Sequence, residues 1–216
     1  MTIHTPIPDY AEARRAMVES QLRPEGVTDR GVLEAMRQVA REEFIPAEVR
    51  PLAYTDRSIA LGNHRFLAPA AVLGKLLTEA APVAGERALV VGAGTGYSAA
   101  VLARIGLDVL ALECSSELAT QARALDVAVV EGPLQEGHKG KSPYQLILID
   151  GAVEKIPDAI VDQLADGGRL VGAIVDRRVS RLIVGRKAGS AFGYVSIGDA
   201  GVATLPGFSS PRTFAF

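Results

Sequence analysis

Three glycines at alternate positions, Gly92, Gly94 and Gly96, close an apolar run that begins at Ala88. An Ala/Val/Leu-rich segment follows from Ser98 to Ile105 and reads as a helix. Strand, tight turn and helix in that order open a nucleotide-binding α/β unit. Bare backbone lets a ligand approach, and the helix N-terminus offers free N–H groups. Glu113 ends a second short strand, Asp108 to Leu112. It stands about 20 residues beyond the first glycine, the separation at which a carboxylate reaches a ribose hydroxyl pair. The pairing suits adenosine from either NAD or S-adenosylmethionine. Tyr97 fills the last glycine position of the dinucleotide form G-x-G-x-x-G, so a methyl donor fits better than a pyrophosphate. The plainer alternative is a strand-to-helix turn that binds nothing, with Glu113 ending a strand in solvent.

Composition narrows the setting. The chain has 216 residues, 48% hydrophobic and 5% aromatic, with no Trp. That length suits one large domain or a domain with an appendage, built on an aliphatic core. A net charge of −2 gives no broad nucleic-acid surface. Cys114 is the single cysteine, so neither an intrachain disulfide nor a cysteine-based zinc site is expected. The three histidines, His4, His64 and His138, are not spaced as a metal site. Neither a signal peptide nor a membrane-spanning run is apparent, and a soluble, cytoplasmic protein is expected.

These residues need elements to position them. Residues 1–8 read as a loose tail. Asp9 can cap a helix to about Leu22, with Tyr10, Ala13, Met17 and Gln21 on one stripe, and Asp29 can start another. Residues 53–63 read as irregular, and Pro69 suits the first turn of a third helix. Beyond Arg87, strand candidates 87–91, 108–112, 127–130, 145–149 and 168–174 alternate with helix candidates 97–105, 115–124 and 157–165. Such alternation implies a parallel sheet with helices on both faces. Residues 181–187 and 192–197, joined through Ala188-Gly189-Ser190, read as a hairpin. The tail from Leu205, with its aromatics, is expected to pack on the body. The expected fold is α/β: a Rossmann-like, mostly parallel sheet with a C-terminal antiparallel hairpin, preceded by a helical N-terminal region. The ligand then sits at the carboxyl ends of the strands. Gly92–Tyr97, Glu113-Cys114, Glu131-Gly132 and Asp150-Gly151 supply those ends.

With these residues placed, the chain resembles the protein-L-isoaspartate O-methyltransferases, class I S-adenosylmethionine-dependent enzymes, over roughly residues 17–175. The resemblance is carried by Met17-Val18, Gln21-Leu22, Gly26-Val27-Thr28-Asp29, Val39-Ala40-Arg41-Glu42, Phe44-Ile45-Pro46 and Ala53-Tyr54. It continues in Gly94-Thr95-Gly96-Tyr97, Ser142-Pro143-Tyr144 and Gly167-Gly168-Arg169-Leu170-Val171. It implies methyl transfer from S-adenosylmethionine to the α-carboxylate of isoaspartyl residues in damaged proteins, which allows repair through a succinimide. Alignment of nucleophile, methyl carbon and leaving sulfur then supplies most of the catalysis. Cofactor contacts are implied at Gly92, Ala93, Gly94, Gly96 and Tyr97, at Glu113 and Cys114, and at Glu131 and Gly132.

Three positions depart from the family pattern. Leu67 stands where a serine is implicated in holding the substrate carboxylate, and leucine has no donor. Val90 stands where an acid two residues before the first glycine is usual, and Asp150-Gly151 replaces a small polar pair. Asp150 either contacts cofactor or substrate, or caps the following turn. His64 and Arg65 flank the lost serine. Arg65 can pair with a carboxylate and His64 can donate one hydrogen bond, or both face solvent. The resemblance implies a helical substrate and lid region at 1–80, with the lid itself at 60–68, and a cofactor-binding core at 81–216. The rival readings are a non-catalytic relative that keeps the fold and a methyltransferase with another acceptor.

Overall fold

The computed structural model describes residues 9–176 and 179–208. Two capped helices come first. Asp9 accepts the Glu12 amide at 3.0 Å and Asp29 the Val32 amide at 2.9 Å, each satisfying an orphan donor of the first turn. Helix α1 (Tyr10–Met17) passes into a π-helical turn (Val18–Leu22), and α2 spans Arg30–Gln38. The π turn rotates the buried face, so Val18 and Leu22 are buried while Gln21 is half-buried.

Residues 53–63 are not wholly irregular. After 3-10 turns at Arg41–Phe44 and Ala47–Leu52, strand β1 (Ile59–Gly62) pairs antiparallel with β2 (Arg65–Leu67). Asn63 and His64 form the two-residue turn with φ of 50° and 57°, the sign that a type I′ hairpin requires at both central positions. Alternation then fixes the faces. Ile59, Leu61, Arg65 and Leu67 point inward, and Ala60 and Phe66 point outward.

Helix α3 (Ala70–Ala80) leads to the main sheet: β3 (Arg87–Val91), α4 (Tyr97–Ile105), β4 (Asp108–Glu113), α5 (Ser116–Ala124), β5 (Val129–Glu131) and β6 (Tyr144–Val153). A single turn, α6 (Asp158–Val161), then precedes β7 (Leu164–Asp176), β8 (Val179–Ala188) and β9 (Ala191–Asp199). The strand order is β5-β4-β3-β6-β7-β8-β9. The first five of that order run parallel, and β8 and β9 are antiparallel additions. Helix α6 is shorter than expected because β7 begins early, pairing Leu164 with Tyr144.

The buried strands are apolar on both faces, as a covered parallel sheet requires. Ala88, Val90, Ala111, Leu146, Leu148 and Val171 pack on one side, with residues of the N-terminal helices, α3 and α4. Leu89, Val91, Leu112, Ile147 and Leu170 pack on the other, with Leu134, Ile160, Leu205 and Phe208. The tail packs on the body through Leu205 and Phe208, and the rest of it, 209–216, lies outside the described residues, as do 1–8 and His4.

Candidate functional site

The strand order reverses at β3, which lies between β4 and β6. The carboxyl ends of β3 and β6 are therefore where an open α/β sheet forms its crevice. Gly92, Gly94 and Gly96 turn the chain there with φ of 78°, 57° and 96°, a region that disfavours any side chain. Their bare faces are covered by this chain's own residues. A Cβ on Gly92 would meet both Leu205 methyls at 2.9 Å, one on Gly94 a Leu61 methyl at 2.9 Å, and one on Gly96 a Val127 methyl at 2.8 Å. Ala93, between them, is buried.

Glu113 ends β4 with its side chain turned inward and fully buried, not in solvent. Its Oε2 accepts the Gly94 amide at 2.7 Å. Its Oε1 accepts the Cys114 and Ser115 amides at 2.9 and 3.1 Å, and also Nη1 of Arg65 at 3.1 Å. The inward face of β2 delivers Arg65, which is 3% exposed, and its Nη2 donates to the Gly92 carbonyl. One guanidinium thus joins the ends of β3 and β4. A cavity of about 10 Å³ remains among Arg65, Phe66, Asp150, Gly151 and Leu205, room for about one water at most.

Asp150 lies in a bulge of β6, where the register with β7 shifts between Leu148 and Ala152. The strand continues to Val153, so Asp150 caps no helix; its Oδ2 accepts the Ser98 hydroxyl at 2.5 Å. Burial pushes the Asp150 carboxyl up, opposed by the Ser98 hydrogen bond and by Arg65 and Arg41. A carboxyl raised in the folded state favours its proton there. Stability therefore falls as pH rises from the ordinary value near 3.8 through the folded one. Asp150→Asn is expected to flatten that decline in Tm measured from pH 4 upward. An unchanged slope would assign the decline to other groups.

The remaining expected residues scatter around this edge. Leu67, at 6% exposure, sits in the core beside its cross-strand partner Ile59. Leu67→Ser is expected to cost about 3–5 kcal/mol, from lost burial and an unpaired hydroxyl. Urea denaturation checks this, and a loss below ~1 kcal/mol would contradict the packing described. His64 is exposed at the hairpin tip. Val90 lies within the core. Tyr97 meets Phe44 edge-on at 5.6 Å, with the Arg41 guanidinium 4.9 Å from its ring centre. Burial pushes the Tyr97 hydroxyl up and the Arg41 guanidinium down. Cys114 is exposed, and partial desolvation and the Glu113 carboxylate push its thiol up, which weakens it as a nucleophile. Glu131 is exposed and held by Arg123 at 2.8 Å and Ser116 at 2.6 Å, its carboxyl lowered by the Ser116 and Arg123 hydrogen bonds. Gly132 follows it, donating its amide to the Glu113 carbonyl at 3.1 Å. No cluster of three or more His, Cys, Asp or Glu suited to a metal occurs among the described residues, and no helix among them is long and apolar enough to cross a membrane.

Sequence reasoning missed Leu205 and Leu61 at this edge, and also Arg41. Arg41 is buried and donates to the Ala53 carbonyl at 2.9 Å and the Ala68 carbonyl at 2.6 Å. The sequence held one usable signal, Gly62-Asn63-His64, whose turn chemistry marks a hairpin without saying which of Arg65 and Phe66 faces inward. Leu205 had none, because its contacts span more than fifty residues.

The family model described as Protein-L-isoaspartate(D-aspartate) O-methyltransferase matches residues 12–197. The protein-L-isoaspartate O-methyltransferase of Methylorubrum extorquens is 41% identical over 172 residues, 77% of this chain and 75% of that protein. That of Methanoregula boonei is 35% identical over 195 residues, 87% of this chain and 89% of that protein. Among solved structures, a protein-L-isoaspartate O-methyltransferase aligns with a TM-score of 0.77 at 23% identity, covering 90% of this chain and 66% of that one. A Plasmodium falciparum protein assigned to the same activity, in complex with S-adenosyl-L-homocysteine, aligns with a TM-score of 0.75 at 19% identity, covering 89% and 97%. At such identities these two structures speak to the fold.

Proposed function

Because the chain belongs to the protein-L-isoaspartate(D-aspartate) O-methyltransferase family, we propose that it transfers a methyl group from S-adenosylmethionine to the carboxylate of L-isoaspartyl residues in damaged proteins. The observation that carries this reading is the extent of the family match, from residue 12 to 197. It takes in the helical N-terminal region as well as the sheet that binds the cofactor in this reading. Residues 1–80 then form the substrate and lid region and 81–216 the core. Gly92, Gly94 and Glu113 would face the adenosyl group. A cytoplasmic setting goes with a chain whose one cysteine is a free thiol.

In the arrangement described above, those residues do not fit the group. Sites for ligands of this size measure about 300–1,000 Å³, against about 10 Å³ at the crevice. Glu113 already accepts five donors, the Cys114 thiol among them, and is fully buried.

Radiolabelled methyl transfer from S-adenosylmethionine to an isoaspartyl peptide tests the proposal. Incorporation above a normal-aspartyl control is expected, and incorporation equal to that control overturns it. The rival reading, a non-catalytic relative that keeps the fold, finds no support in the family match. Tight calorimetric binding of S-adenosylmethionine would count against it.

A further inference from the structure

We propose that the β1–β2 hairpin and the segment 203–205 form a latch built into the fold, in which Arg65 occupies on Glu113 the place a ribose would need and Leu205 fills the glycine crevice. The inference rests on the adenosyl-binding reading above.

The latch is made of complementary parts. An arginine on the inward face of a short strand needs acceptors for its buried charge, and an anion serves best. Glu113 is that anion, at 3.1 Å, and Oε1 carries two backbone donors besides. A ribose diol reaching Glu113 must therefore displace the guanidinium, which also gives up the Gly92 carbonyl.

Leu205 is placed independently. A bridge between Ala152 and Thr204 hangs its segment on the end of β6, through Leu205 N to Ala152 O at 2.8 Å and Ala152 N to Ala203 O at 2.9 Å. A Cβ on Gly151 would meet the Leu205 side chain at 2.5 Å, and one on Gly92 would meet it at 2.9 Å. The bare backbone at both strand ends is thus taken by one leucine. The outer fastening is weaker. Asn63, at the hairpin tip, donates to Ser115 Oγ at 3.2 Å and Glu117 Oε2 at 3.0 Å, both in contact with solvent. Water competes for such bonds, so opening begins at the tip and ends with Arg65 leaving Glu113.

Apparent affinity for an adenosyl ligand is reduced by the fraction of molecules that are open. The test is calorimetry with S-adenosyl-L-homocysteine, together with hydrogen exchange, on the full chain and on Arg65→Ala and Leu205→Ala. Both variants are expected to bind at least about tenfold more tightly than the unaltered protein. Residues 59–67 are expected to exchange faster in Arg65→Ala. Leu205→Ala retains the Arg65–Glu113 pair, so the test stands if Arg65→Ala fails to fold. Variants that bind no more tightly than the unaltered protein overturn the latch. If the unaltered protein binds in that case, the methyltransferase reading survives; if none of the proteins binds, the adenosyl reading falls too.

Discussion

Arg65→Ala is expected to lower the free energy of unfolding by about 3–5 kcal/mol, the usual cost of leaving one member of a buried ion pair behind. The side chains of Arg65 and Glu113 are 3% and 0% exposed, so water does not repair the loss. The Gly92 carbonyl loses its donor as well. Arg65→Met combined with Glu113→Gln is expected to recover only part of the stability. No charge remains buried, but a carboxamide has a single acceptor oxygen, so its NH2 group faces either the Gly94 amide or the Cys114 and Ser115 amides, donor against donor. Urea denaturation of the single and double variants at neutral pH measures both effects. A loss below ~1 kcal/mol for Arg65→Ala would show the pair to be solvated in solution.

Arg169→Ala is expected to cost a similar ~3–5 kcal/mol through a different mechanism. Arg169 enters from β7 and binds the end of α3, where Ala81 holds a left-handed conformation with φ of 44°. Its guanidinium donates to the Ala80 carbonyl, to the Ala81 carbonyl at 2.9 Å and to the Gln145 carbonyl at 3.2 Å. It also pairs with both oxygens of Glu86 at 2.8 and 2.6 Å. The Ala80 and Ala81 carbonyls have little other access to donors, since helix ends leave their last acceptors unpaired. Thermal denaturation checks the prediction, and Arg169→Lys should recover only part because an ammonium cannot span the same fork. Full recovery by lysine would mean that charge alone suffices.

The regular elements were legible because their signals are local. Asp9 and Asp29 announce helix starts, and both are observed as caps. The segment 97–105 is a helix as expected, and the apolar runs at 87–91 and 108–112 are strands to within one residue. The fourth strand was expected at 145–149 but runs on through the Asp150 bulge, since its continuation pairs with residues far away at 173–174 and 204. The hairpin at 59–67 was hidden for another reason. Strands of four and three residues are too short to display a period of two, so Arg65 and Phe66 carried no mark of which would face inward.

The sequence alone determined the α/β class, the place of the glycine turn in the chain and the presence of an acid at the end of the next strand. Each of these is written in residues adjacent or nearly so. Only the tertiary structure decided what those groups touch. Arg65 lies 48 residues from Glu113 and Leu205 more than a hundred from Gly92. Whether a carboxylate meets a ligand, solvent or a guanidinium depends on the register of a distant hairpin, and no local pattern encodes that register.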